Sequence, residues 1–264
     1  MRQDVITLEN FYTTRLGKTV SSTLADRVRA LWGPLAKDQL LGFGFATPLL
    51  QEIGQDADMC MAAMPGAQGA LTWSNQPGLI NTVLCEEERL PFCDTVFSHL
   101  IVMHGLEEAY APQRLLQECW RIMAPEGRIL IIATNRLGLW SHAEHTPFGQ
   151  GRPWSKQQLI NALSDARFQM TAWSYSLHFP PISWSPALNL HGGWEKIGDR
   201  LTRFMGGVIL IEAKKRLHAA PHNRVMRFAP GRPIGTRKGL AHTAQKEGII
   251  HMRYGQIGPD PDFD

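Results

Sequence analysis

The sequence predicts an α/β fold, a doubly wound and mostly parallel sheet covered by helices on both faces. Two observations predict it. Strand-like and helix-like segments alternate along the chain between residues 39 and 213, the order that builds βαβ units with right-handed crossovers. The strand candidates are also apolar on both sides, as strands lying between two helical layers must be. Size and composition agree: of 264 residues 44% are apolar and 19% charged, enough for one good-sized core in an ordinary globular chain.

The elements follow in order. Residues 4–16 and 19–32 carry apolar residues at helical spacing, with Leu24, Val28 and Leu31 on one face of the second. Residues 39–45 form a short apolar strand closing on glycines, and 58–64 a second, ended by Pro65-Gly66. Residues 81–86 and 95–103 give the third and fourth strands. An amphipathic helix over 113–123 is stopped by Pro125 and Gly127, and 128–134 is a β-branched strand bounded by Asn135. Ser155 is placed to cap a helix over 155–166. Two further strands lie at 168–178 and 207–213. Three parts are expected: capping helices in 1–33, the α/β domain in 34–214, and a basic, flexible tail in 215–264.

Other totals narrow the function. A net charge of +3 does not by itself imply a polyanionic partner. Cys60, Cys85, Cys93 and Cys119 form no CxxC pair and no metal-spaced cluster, so buried, reduced thiols are expected. No signal-like N-terminus and no run of about 20 apolar residues is present, so a cytoplasmic protein without a membrane span is expected. The tail mixes Lys215, Arg224, Arg232 and Lys246 with Pro, Gly and His. A solvated extension explains it, and contact with a protein partner, nucleic acid or lipid phosphate is the alternative.

Residues 90–134 carry the sharpest pattern. Leu90-Pro91-Phe92, Asp94, Phe97, His104, Leu106-Glu107, Leu115-Leu116, Glu118, Arg121, Pro125 and Gly127 stand in an order and spacing that resembles the class I S-adenosylmethionine-dependent methyltransferases. The likeness is to the subgroup related to ubiquinone-pathway and other small-molecule methyltransferases, and it runs over about 30–214. It implies a Rossmann-like sheet, S-adenosylmethionine as cofactor, and a small-molecule methyl acceptor. Glu118 and Arg121 read either as an ion pair orienting their helix or as chemistry.

The glycine loop of the family is altered. In Leu41-Gly42-Phe43-Gly44-Phe45-Ala46-Thr47-Pro48, Gly44 matches the first loop glycine. Ala46 and Pro48 stand at the next two, and Gly42 where an acid is usual. Pro48 can open a helix at its first turn, so the chain can still pass from strand to helix. The second strand ends on Met64 instead of the acid that accepts from the ribose hydroxyls. Losing that acceptor costs about 1.5–3 kcal/mol of binding. Ser98 replaces a usual Asp. Glu86 or Glu87 stands where relatives hold the adenine amino group, and reads equally as part of a solvated acidic turn. By this resemblance Gly42, Phe43, Gly44, Phe45, Met64, Glu86, Glu87 and Met103 are the candidate cofactor residues.

Methyl transfer from a sulfonium needs alignment and exclusion of water, with a base only where the nucleophile carries a proton. His104, at the carboxyl end of the fourth strand, is the candidate catalytic base, or else a structural histidine. Trp140, His142, His145, Phe148 and Tyr175 are the candidate substrate residues, in segments that read equally as a packed lid. The spacing His142-x-x-His145 lacks a third ligand, so no metal is expected. Two functions stand: a small-molecule methyltransferase, or a catalytically inactive relative with a binding or regulatory role.

Overall fold

Helices form where a cap and an apolar stripe coincide. In the computed structural model, which describes residues 3–76, 78–182, 205–217 and 226–227, the Asp4 carboxylate accepts from the Ile6 and Thr7 amides and opens α1 (Val5–Thr13). Val5, Leu8 and Tyr12 form its buried stripe. Thr14, in extended conformation, is the single residue between this helix and α2 (Arg15–Trp32), and its hydroxyl accepts from Gly17 N–H. Gly33, at φ 71°, ends α2. At α5 (Lys156–Asp165) the expected Ser155 cap is present as a full capping box with Gln158. The remaining helices are α3 (Thr47–Ile53), opened by Pro48, and α4 (Pro112–Ile122), with Pro112 at its start.

The strands are β1 (Gln39–Gly44), β2 (Met59–Pro65), β3 (Thr82–Cys85), β4 (Phe97–Met103), β5 (Met123–Thr134), β6 (Phe168–Ser176) and β7 (Val208–Lys215). Their order is β3-β2-β1-β4-β5-β7-β6, extended by a two-residue β8 (Met226–Arg227) beside β6. Pairs among β1 to β5 are parallel, and β7 enters antiparallel to both β5 and β6. Strand β5 starts earlier than its β-branched run suggests, because Met123 already pairs with Phe97 before the register shifts. The expected tail lies outside the described residues except for Lys215, Arg216, Leu217 and β8.

Side chains alternate across this sheet and fill two layers. Leu40, Phe45, Met64, Met103 and Ile132 pack with α1, α2 and α3 on one face. Leu41, Phe43, Leu100, Val102 and Ile131 pack with α4 and α5 on the other. The chain order reverses between β1 and β4, and it is outside the carboxyl ends of such neighbours that α/β sheets bind ligands.

Candidate functional site

The turn from β1 into α3 sets the floor of this edge. Gly44 has φ 83°, and a Cβ there would run into the Met103 carbonyl oxygen at the end of β4. The Phe45 amide donates to that same oxygen at 2.9 Å. Glycine is required here because two strand ends approach closely. At Gly42 a Cβ would press on the Leu50 side chain and on Ala46, so this glycine lets α3 sit close on β1. Ala46 is fully buried as the residue before α3, at φ −94° and ψ −4°. The loop therefore turns as a glycine loop does, with its space spent on packing.

His104 follows at φ 51°, a left-handed backbone that costs an ordinary L-residue about 1–2 kcal/mol. Its ring is 7% exposed, and Nε2 shares a hydrogen bond of 2.7 Å with Tyr12 Oη from α1. The Phe148 ring lies 4.8 Å from it, centroid to centroid, and Phe45 tilts against Tyr12 at 5.8 Å. Gln68, in the loop after β2, donates from Nε2 to the His104 carbonyl oxygen at 3.2 Å. Burial pushes the His104 imidazole down to about 3 and the Tyr12 hydroxyl well above its ordinary value. Neutral His104 beside protonated Tyr12 is the consequence.

Glu107 lies beyond the same strand end. Its Oε1 accepts from the Thr134 amide at 2.9 Å, and desolvation raises its carboxyl above the usual range. Glu107 Oε2 and Gln68 Oε1 are buried acceptors with no donor among the described residues. Strained backbone, desolvated titratable groups and orphaned acceptors on one edge are marks of a functional place.

The other sequence candidates scatter. Met64 and Met103 are buried in the same layer as Phe45, whereas Phe43 faces the opposite layer. Glu86 is exposed past β3, and Glu87 accepts the Tyr110 amide at 3.2 Å. Trp140 and Phe148 are buried, edge to face at 5.3 Å. His142 and His145 are exposed, with His145 Nε2 donating to the Pro181 carbonyl oxygen at 2.8 Å. Tyr175 is buried on the α5 side against Trp173, away from the Phe148 layer. No group of three metal-binding side chains occurs among the described residues. The sequence reading missed Tyr12 and Gln68. A hydroxyl on the apolar stripe of α1 was a signal for Tyr12; nothing marked Gln68.

The motif around Glu118 and Arg121 serves the scaffold. Arg121 donates to the Leu90 and Phe92 carbonyl oxygens at 2.9 and 2.8 Å and to Asp94 at 2.7 Å. Glu118 receives Arg121 at 2.8 Å and the Leu90 amide at 2.9 Å. Ser98 has a similar duty at the start of β1, accepting from the Gln39 amide and donating to Asp38.

Known proteins agree with this architecture. Residues 41–131 match the family model described as a methyltransferase domain. Over that stretch, about a third of the chain, the sequence is similar to methyltransferase domains. Ubiquinone/menaquinone biosynthesis C-methyltransferases of Bordetella parapertussis and Bordetella bronchiseptica are each 27% identical over 101 residues, a stretch spanning 38% of this chain and 38% of theirs. A Thermotoga maritima methyltransferase structure described as a possible histamine N-methyltransferase superposes with TM-score 0.58 at 14% identity, covering 80% of this chain and 96% of that one. A putative methyltransferase solved with the Haloferax volcanii Trm112 methyltransferase activator gives TM-score 0.56 at 16% identity, over 81% and 99%. These two likenesses are of fold.

The cofactor implied for a methyltransferase domain of this class is S-adenosylmethionine. In the arrangement shown, the residues do not fit its methionine half. The Phe45 amide is committed to Met103, no cradle opens at Gly44, and Tyr12, Phe45, His104 and Phe148 pack ring to ring where the strands β1 and β4 end.

Proposed function

We propose that the protein is an S-adenosylmethionine-dependent methyltransferase acting on a small-molecule acceptor at the carboxyl edge of β1, β2 and β4. The observation that carries this reading is the methyltransferase-domain match over residues 41–131, which includes both the altered loop and the β4 end. Desolvated His104 and Glu107 on that edge support it, since perturbed groups cluster at working sites. His104 is the base in this proposal, and it gains basicity only when the edge opens to water. Trp140 and Phe148 line the acceptor side. Four free thiols suit a reducing compartment, and we place the protein in the cytoplasm. No helix among the described residues is long and apolar enough to cross a membrane.

The ring packing around Tyr12 favours a second reading, a catalytically inactive domain that binds a partner. The activator in the Haloferax complex makes a protein the natural partner to seek. Calorimetric titration with S-adenosylmethionine and with S-adenosylhomocysteine separates the two. Saturable binding of either is expected, followed by turnover in an acceptor screen. No heat and no thermal shift at millimolar ligand would establish the inactive reading.

A further inference from the structure

Part of the disagreement between the implied cofactor and the packed edge comes from one element, because Tyr12 and Phe11 both belong to α1. Helix α1 lies against the strand ends. Its Val5 amide donates to the Gln68 carbonyl oxygen at 2.8 Å, and the Gln3 amide before it donates to Glu108 at 3.0 Å. Val5 packs on Gly69, whose φ is 85°. From the next turns Tyr12 reaches His104 and Phe45, and Phe11 meets Phe148 at 6.3 Å. The helix is joined to α2 through Thr14 alone, in extended backbone. Gly17 keeps that joint tight, because a Cβ there would strike the Phe11 carbonyl oxygen.

A cap built only to finish the core would close it with apolar groups. Here it buries a tyrosine hydroxyl against a histidine in left-handed backbone, on an edge where Gln68 Oε1 and Glu107 Oε2 have no donor among the described residues. We propose that α1 is an autoinhibitory plug, with Tyr12 standing in the ligand's place and His104 as its latch, and that ligand enters when α1 pivots about Thr14. The ligand's identity rests on the methyltransferase reading above. Opening frees Tyr12 and His104 together and exposes the two orphaned acceptors to groups that can donate to them. Apparent affinity is then the intrinsic affinity reduced by the open fraction.

A reversible lock tests this. An ideal Cβ at position 69 lies 3.9 Å from Val5 Cβ, inside the span a disulfide bridges. The full chain carrying Val5→Cys and Gly69→Cys, with the exposed Cys93 replaced by Ser, is titrated with S-adenosylhomocysteine before and after reduction. Backbone strain at position 69 is common to both forms. The plug predicts that oxidation weakens binding at least about tenfold and that reduction restores it, since locking removes the open fraction. Equal affinity in the two forms overturns the plug and leaves the methyltransferase reading standing. No binding by the wild type or the reduced variant overturns that reading and the plug with it. Tyr12→Phe, which keeps the ring, gives a second measurement by hydrogen exchange. Bound S-adenosylhomocysteine speeds exchange at the amides of residues 5–13 and slows it at 44–47. The variant speeds the former without ligand. Ligand that protects α1 overturns the proposal.

Discussion

The two edges of the sheet handle charge in opposite ways. At the amino end of β4, Glu118 and Arg121 are partnered by each other, by Asp94 and by the backbone of residues 90 and 92. Hydrogen bonds from Arg121 hold the Glu118 carboxyl below its ordinary value, and that carboxylate in turn holds the guanidinium above its own. Both stay charged, and Arg121, in the last turn of α4, also complements the helix dipole. At the carboxyl end, burial drives His104 toward neutrality, and burial with the Glu108 charge beside it drives Glu107 the same way against hydrogen bonds from Thr134. One edge uses ionisable groups to hold helix and strand together; the other keeps them at a cost in stability. That cost is what a binding edge leaves for a ligand to relieve.

The largest expected effect comes from acid. Unfolded histidine titrates near 6.5, whereas His104 in the fold takes a proton only near 3. Between those values the unfolded chain binds the proton and the native one does not, so stability falls as pH drops, by up to ~1.4 kcal/mol per unit. Glu107 acts the other way. Its raised value adds stability that is present below 4.5 and lost as pH rises through the folded value. Urea unfolding of wild type and His104→Gln at pH 7 and pH 5 isolates the histidine: the wild type loses about 2 kcal/mol more than the variant over that interval. Parallel losses in the two proteins would show that His104 is solvated, and the contrast between the edges would fail.

Next in size is Arg121→Ala. It removes the donors serving Leu90 O, Phe92 O, Asp94 and Glu118, and leaves Glu118 with only the Leu90 amide. A cost of about 2 kcal/mol follows, on the scale of charge-assisted hydrogen bonds in half-exposed surroundings. Binding of S-adenosylhomocysteine is expected to stay within about twofold, because these residues lie at the amino end of β4 and the proposed ligand edge is at its carboxyl end. A large loss of affinity with little change in stability would move these residues into the site.

Most of the fold was legible because it is written in local terms. The period of apolar residues, Ser155 as a cap and Pro48 as a helix opener each act within a few residues, whereas Pro125 to Gly127, which read as a turn, lie inside β5. The scaffold role of Glu118 and Arg121 was open in the sequence, since an i,i+3 ion pair looks the same whether it orients a helix or serves chemistry. The site was less legible. Gly44 could be matched, but the atom it accommodates, the Met103 carbonyl oxygen, is about 60 residues away and belongs to another strand. Tyr12 meets His104 only through tertiary packing, 92 residues apart in sequence. Tyr175 looked like a neighbour of the aromatic segment, yet the strand's alternation sends it to the opposite layer.

The smallest effect is also the one that separates two explanations of the closed edge. If the missing loop glycines were what keeps cofactor out, Ala46→Gly would restore a family residue and improve binding. The structure gives a different expectation. Ala46 is in ordinary right-handed backbone and fully buried against β1, so glycine gains no conformation that alanine lacks. It loses a buried methyl and adds entropy to the unfolded chain, a destabilisation of about 1 kcal/mol. The Phe45 amide would still be held by Met103, and Tyr12 would still cover the strand ends. Affinity for S-adenosylhomocysteine is therefore expected within about twofold of wild type, since the open fraction is unchanged. A tenfold gain in Ala46→Gly, measured by the same titration, would assign the closure to the loop's own composition and not to α1. An unchanged affinity, beside a restored one on reducing the Val5–Gly69 lock, would leave α1 as the element that decides access.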